Sequence, residues 1–429
     1  MKNFFRAIAI ELMYCIFYNF IVVKGVVLRV LRSLLLFRGA DEHFIPDTVL
    51  VLKVGGLGDF IFGIPALNLL REKLPNAKIC LVTAKSISGL RFKFSNRDPL
   101  DASDLPWVNF VRTSVDEVLV VHDLSFVMIR KISNLIPSSK NIGIFILGYP
   151  GMTISSAFKK VLFARLLIKG RAVCVGINKK LEDNFMRKFQ GQQGLYRHKM
   201  LGDIDSIMEG FPKQSFNNKD LNFRVPINAI SQSKIINSIF AEDLSKKIIL
   251  IAPLATTTHK QWPLDNFVRL TQELNKSQEQ LEFLLVGTRE QFDQVAQAYQ
   301  DIGFVATNLC GLLSMDELAA LFSVARGYIG NDGGMSQLAG LIGCPSVIVF
   351  NSVEEDWVTH PWRSANGVVR NRTACSPCYN GLYCPEGHRR CVTDISLESV
   401  LLKVHQIIFK SEFQISDPML QPNKLVEQL

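Results

Sequence analysis

The stretch Val49-Leu50-Val51-Leu52-Lys53-Val54-Gly55-Gly56-Leu57-Gly58-Asp59 decides the fold. Four consecutive apolar residues, Val49 to Leu52, suit a strand buried on both faces of a parallel sheet. The glycines that follow let the backbone turn sharply. A helical pattern then runs over residues 60–74 until Pro75-Asn76 ends it. Strand, glycine turn and helix open a βαβ unit. Further strand signals at 78–83, 117–122, 142–147 and 172–177 extend it into a doubly wound α/β domain over 47–225.

The pattern restarts after a polar connection at 218–245. Residues 247–251 read as a strand, 264–275 as a helix and 282–286 as a strand. Residues 315–324 read as a helix behind Ser314, a good N-cap, and 327–330 and 346–350 as strands. This makes a second doubly wound, Rossmann-like domain over 246–410, with a tail at 411–429. Two such domains would face one another across a cleft lined by their carboxyl-end loops, where α/β sheets bind ligands.

Composition narrows the function. The 429 residues are too many for one ordinary core, and 48% hydrophobic with 20% charged residues excludes disorder. The net charge of +9 points to nucleic acid, an anionic membrane surface or an anionic substrate. With no zinc-finger pair, RNP-type aromatic strand or long basic arm, no nucleic-acid partner is expected. Cys15, Cys80, Cys174, Cys310 and Cys344 lie scattered in apolar or glycine-rich surroundings and read as small buried hydrophobes. No cleavable signal peptide is evident, so a reducing cytoplasm is expected.

Residues 1–46 read as an appendage. The uncharged run from Leu12 to Val23 is shorter than the roughly 20 residues a spanning helix needs. On a helix, Lys2, Arg6, Lys24, Arg32 and Arg38 share one arc, while Phe4, Phe5, Ile8, Leu12 and Cys15 fall opposite. This is the pattern of a basic amphipathic helix lying in a bilayer interface, followed by a linker. A helix packed on the protein's own core is the plainer alternative.

Four motifs carry chemistry. At Gly55-Gly56-Leu57-Gly58-Asp59 the backbone can approach a ligand closely and the helix N-terminus favours an anion. The spacing is not Gly-x-Gly-x-x-Gly, and Thr83-Ala84-Lys85 offers no acidic residue after the second strand, so a nicotinamide enzyme is disfavoured. Asp59 can serve as a general base or merely offset the helix dipole. In Thr256-Thr257-Thr258-His259-Lys260-Gln261-Trp262-Pro263, hydroxyls and a Lys after a strand can clamp a diphosphate, or form a solvated loop. In Gly330-Asn331-Asp332-Gly333-Gly334, amides can receive phosphate and Asp332 can orient sugar hydroxyls; a tight turn with an Asx cap is the alternative. Finally Cys375, Cys378, Cys384 and Cys391, with His388 among them, can hold a tetrahedral zinc, pair as disulfides or stay free.

Together these residues resemble the bacterial heptosyltransferases, inverting glycosyltransferases of the GT-B type that build the lipopolysaccharide core. The resemblance covers residues 47–404. It rests on Leu52 to Asp59 with Pro65-Ala66-Leu67, Lys260-Gln261-Trp262-Pro263 with Phe267, Asn308-Leu309-Cys310-Gly311, and Gly330-Asn331-Asp332-x-Gly334 with Leu338-Ala339 and Gly343-x-Pro345. It implies that Asp59 deprotonates the acceptor hydroxyl. Lys260 would bind donor phosphate with Thr256 and Thr257, and Asp332, Gly333 and Gly334 would line the donor pyrophosphate and sugar. Glu290 would meet the nucleoside. Lys53, Gly55, Gly56 and Gly58 would form the acceptor-side or phosphate loop. It further implies an ADP-heptose-like donor, a Kdo- or heptose-bearing lipid acceptor at the cytoplasmic membrane face, and no cofactor for catalysis. Two positions depart from the family: Gln337 stands where a His is common, and Lys53 where an Arg is frequent. Gln cannot carry a proton, so Gln337 bears on the donor and on whether the chain is instead a non-catalytic binding protein of the same fold.

Overall fold

The computed structural model describes residues 45–53, 55–83, 105–120, 141–148, 171–175, 198–208, 210–211, 223, 225, 247–276, 280–301, 304, 306–378, 380 and 383–410. The N-terminal amphipathic segment up to residue 44, the 218–245 connection apart from residues 223 and 225, and the 411–429 tail lie outside the described residues.

The first sheet contains β1 (Thr48–Lys53), β2 (Lys78–Thr83), β3 (Glu117–Val120), β4 (Asn141–Leu147) and β5 (Arg171–Val175), all paired in parallel in the order β3-β2-β1-β4-β5. Helix α1 (Leu57–Lys73) follows β1, and α2 (Lys199–Met208) packs beside it. The second sheet contains β6 (Lys247–Ala252), β7 (Leu281–Leu285), β8 (Thr307–Asn308), β9 (Gly327–Asn331), β10 (Ser346–Phe350) and β11 (Val368–Arg370). Its parallel order, β11-β10-β9-β6-β7-β8, is the Rossmann order read from its far edge. Around it lie α3 (Leu264–Asn275), α4 (Phe292–Gln300), α5 (Met315–Val324), α6 (Gly334–Ile342) and α7 (Leu397–Val404). In each sheet the order reverses beside the first strand, so the crevice opens where β1 meets β4 and where β6 meets β9.

The expected strands and helices are present, with instructive differences. Helix α1 begins at Leu57 rather than Phe60, because the Phe60 amide already donates to the Gly56 carbonyl at 2.9 Å. The glycine turn is therefore itself the first helical turn, and Asp59 lies within it. Residues Phe60 to Leu70 are all buried, so α1 has no solvent stripe. It is covered by its own sheet, by α2 and by α6 of the other domain. Ser314 caps α5 as expected, accepting from the Glu317 amide in a capping box. Helices α2, α4 and α7 and strands β8 and β11 were not foreseen. Helix α2 holds a Gly and two Asp in ten residues, and α4 buries only Val295 and Tyr299, so their local signals are weak.

The two domains share one apolar cluster. It runs from Phe60, Phe62 and Ile64 of the first domain to Leu318, Leu338 and Leu341 of the second. Asn109 adds a hydrogen bond to Asp316 across the same contact at 3.2 Å. Among the described residues no helix is long and apolar enough to cross a membrane.

Candidate active site

The two glycine turns meet. A Cβ added to Gly334 would stand 3.1 Å from the Leu57 side chain, and one added to Gly58 would stand 3.4 Å from Gln337 Cγ and 3.6 Å from Gly334 Cα. The N-termini of α1 and α6 thus face one another, tightly at Gly334 and in ordinary van der Waals contact at Gly58. Neither Gly56 nor Gly333, their N-cap residues, has a side chain to cap the helix, so first-turn amides on both sides stay available to an anion. Between them opens a cavity of about 390 Å³, lined from both domains.

Asp59 lies on its first-domain wall, half exposed. The carboxylate folds back over Gly55: a Cβ there would lie 2.4 Å from Asp59 Cβ. Gly55 is required by that close approach, and it lies beneath the carboxylate rather than on the cavity wall, whereas Gly56 and Gly58 line the cavity. Lys53 is not in the cavity at all. It is 3% exposed at the end of β1 and forms an ion pair with Asp203 of α2, which is 1% exposed and also accepts from the Gly148 amide at 2.7 Å. The expectation that Lys53 contributes to a phosphate loop is corrected: in the alternating pleat its side chain points from the central strand onto the face covered by α1, against Gly63 of that helix.

On the second-domain wall the Asn331-Asp332 pair divides its work. Asn331 is buried; its Oδ1 accepts from the Trp262 amide at 2.9 Å and its Nδ2 donates to the Pro253 carbonyl at 2.8 Å. It closes the 253–262 loop onto β9. Asp332 turns into the cavity, where its Oδ2 accepts from Asn351 Nδ2 at 3.0 Å. Desolvation raises the Asp332 pKa above the ordinary carboxylate value, opposed by Lys260, Lys199 and the Asn351 hydrogen bond and reinforced by Glu354.

The 253–262 loop delivers Thr256 and Lys260 to the cavity. Thr257 does not line it. Its carbonyl accepts from the Lys260 amide at 3.0 Å and so shapes the single 3-10 turn Thr258–Lys260. Trp262 anchors the loop from behind: it is fully buried, donates from Nε1 to the Ile395 carbonyl at 2.8 Å and meets Phe267 edge-on at 4.9 Å. Trp262 supports the loop from behind, and Lys260 is the part that faces the cavity.

Gly287, Thr288 and Gln291 also line the cavity. Glu290 is exposed on the outer side of that turn and does not line the cavity; Gln291 takes the inward position, its Oε1 accepting from the Thr288 amide at 3.0 Å. Gln337 does line the cavity, yet its amide nitrogen is engaged, donating to the Thr359 carbonyl at 2.6 Å.

Besides Thr288 and Gln291, the lining residues that escaped the sequence reading include Lys199, Asn351 and Glu354. Asn351 and Glu354 follow the carboxyl end of β10, where the open-sheet rule places ligands, so that rule could have found them. Lys199, the first residue of α2, belongs to no motif. It reaches 3.7 Å from Asp59 Oδ1 and 3.4 Å from Glu354 Oε2.

The four clustered cysteines are free thiols, and among the described residues no group of three or more His, Cys, Asp or Glu is placed to hold a metal ion. The structural-zinc expectation is thus unsupported. The segment is held by polar contacts instead: Cys375 Sγ lies 3.7 Å from His388 Nε2, and Arg389 donates to the Gln261 carbonyl at 3.1 Å, behind the Lys260 loop.

Residues 209–386 match the model of glycosyltransferase family 9 (heptosyltransferase). Over those residues the chain is similar to that family. It is the family that the motifs resembled, and the chain is a glycosyltransferase. Solved structures extend the likeness to the first domain. A family 9 glycosyl transferase from Veillonella parvula aligns with a TM-score of 0.60 at 15% identity, covering 87% of this chain and 99% of its own. The E. coli ADP-heptose lipopolysaccharide heptosyltransferase II aligns at 0.59 and 16%, covering 85% and 99%. The E. coli heptosyltransferase WaaC, solved with ADP, aligns at 0.50 and 15%, covering 81% and 96%. At such identities the structural likeness establishes the GT-B fold alone. No curated protein sequence matches the chain.

Proposed function

We propose that this glycosyltransferase inverts the anomeric centre of a heptose or related sugar. The sugar would pass from an ADP-heptose-like donor to a lipopolysaccharide-core or similar lipid-linked acceptor. The observation that carries the reading is the meeting of the two turns, which puts a carboxylate from one domain opposite a phosphate-binding set from the other. Asp59 accepts the proton of the acceptor hydroxyl as its oxygen attacks the anomeric carbon from the first-domain side. The bond from that carbon to the diphosphate breaks on the opposite face, and its electron pair leaves with the diphosphate. Lys260, the Thr256 hydroxyl and the first-turn amides of α6 receive the developing charge in a site already shaped for it. Asp332, steadied by Asn351, accepts hydroxyls of the donor sugar or ribose. A separate base and leaving-group site on opposite walls suits single displacement, hence inversion.

The donor's nucleotide is read at the Gly287–Gln291 turn. Structures described as ADP-heptose enzymes share this fold, which motivates ADP as the first nucleotide to try. A lipid acceptor accords with the basic amphipathic N-terminal segment, and both support the reading of a peripheral protein on the cytoplasmic face of the inner membrane. Gln337 motivates a second reading, a non-catalytic nucleotide-sugar-binding protein, because it cannot supply the charge of a protonated His. One assay separates the two. Nucleoside diphosphate release is followed over ADP-, GDP- and UDP-sugars with Kdo- and heptose-bearing lipid acceptors. Release with ADP-heptose that drops about a thousandfold in Asp59→Asn supports the enzyme. Donor binding without release from any pair supports the second reading, and an Asp59→Asn variant at full rate removes Asp59 as base.

A further inference from the structure

Lys199 and Lys260 are the two cations among the described residues lining the cavity, against the carboxylates of Asp59, Asp332 and Glu354. Lys260 comes from the phosphate-binding loop. Lys199 comes from the other domain, and its partners come from both: Asp59 from its own side, Glu354 from the loop after β10. Its side chain is 15% exposed, so solvent screens these contacts far less than it would a surface pair.

The residue before it fixes where it stands. His198 is buried and donates from Nε2 to the His360 carbonyl of the second domain at 2.7 Å, while its Nδ1 accepts from the Met200 amide at 3.3 Å. Its ring lies 4.9 Å from those of His360 and Trp362 and 5.4 Å from Phe62. The start of α2 is therefore clasped between the domains, with Lys199 between Asp59 and Glu354.

We propose that Lys199 is a positioning residue that couples domain closure to the orientation and charge of Asp59. Held from one wall by Asp59 and from the other by Glu354, it turns the Asp59 carboxylate towards the acceptor hydroxyl when the domains come together. During transfer the proton moves from that hydroxyl to Asp59, the new bond forms at the anomeric carbon, and one negative charge appears on the departing diphosphate. Asp59 is then neutral, and the positive charge of Lys199 stays in the cavity beside the new anion. The role rests on Asp59 being the base.

The test compares Lys199→Met, Lys199→Arg, Glu354→Gln and Asp59→Asn in the full chain, with ADP-heptose as donor probe and a Kdo-bearing lipid as acceptor. Lys199→Met is expected to lower kcat about a hundredfold while donor KM stays within about threefold, the signature of an interaction realised in the transition state. Lys199→Arg recovers most of that rate, and Glu354→Gln lowers kcat in the same direction by less. Melting temperatures of Lys199→Met, Asp59→Asn and their double variant are non-additive. A raised KM at unchanged kcat makes Lys199 a plain phosphate ligand and overturns the proposal, as does a wild-type kcat in Lys199→Met beside a dead Asp59→Asn. An active Asp59→Asn variant instead overturns the base assignment on which the proposal rests. If wild type does not turn over ADP-heptose, the donor reading falls, and additive melting temperatures alone then overturn the link between Lys199 and Asp59.

Discussion

The turns at Gly55–Asp59 and Gly330–Gly334 are built alike and used differently. Each follows the first strand or the switch-point strand of its sheet, each starts a helix without a side-chain cap on the N-cap residue, and each carries one aspartate. Under each lies a buried polar residue that ties the strand end to its domain: Lys53 to Asp203 in the first, Asn331 to Trp262 and Pro253 in the second. The aspartates diverge. Asp59 folds over a glycine and faces an ammonium 3.7 Å away, 44% exposed and open to a bulky acceptor. Asp332 is held by an asparagine, and desolvation raises its pKa. Similar turns thus give a half-exposed carboxylate open to an acceptor and one tied to Asn351 that is suited to framing a ligand.

The supports beneath the turns can be broken separately. Lys53→Met leaves Asp203 buried without this counter-charge, and should lower stability by about 3–5 kcal/mol in denaturant unfolding. Turnover per folded molecule should survive, because Lys53 does not line the cavity; a selective loss of turnover would return Lys53 to the site. Asn331→Ala strips partners from a buried amide and carbonyl at the base of the Lys260 loop, for about 1–3 kcal/mol. It should also raise donor KM, since Lys260 loses its anchor, and an unchanged KM would mean that Trp262 alone fixes the loop.

A smaller effect sharpens the first turn. Gly55→Ala places a methyl 2.4 Å from Asp59 Cβ, so the carboxylate must swing away. We expect kcat to fall by about tenfold, with the donor-induced melting shift intact. A Gly55→Ala enzyme at full rate would show that Asp59 works from a different orientation.

Much of this was legible in the chain. Apolar runs located every strand of the two sheets except β8 and β11, since parallel strands buried on both faces read as continuous apolar stretches. The motif turns were placed because glycine and aspartate announce their backbone. Side-chain direction was not legible. Lys53 and Asp59 lie six residues apart, and the pleat that sends one into the domain and the other into the cavity depends on where α1 begins. Glu290 and Gln291 exchanged places for the same reason: a one-residue difference in a turn decides which side chain faces inward. Lys199 and Glu354 meet only through tertiary approach, and no spacing in the chain encodes that.

The division of labour between the turns is tested most directly by the melting shift that ADP-heptose induces, measured side by side in wild type, Asp59→Asn and Asp332→Asn. Asp59→Asn should keep a wild-type shift while losing transfer, and Asp332→Asn should lose most of the shift, because stabilisation reports donor affinity by mass action. A shift lost in Asp59→Asn and kept in Asp332→Asn would contradict the account.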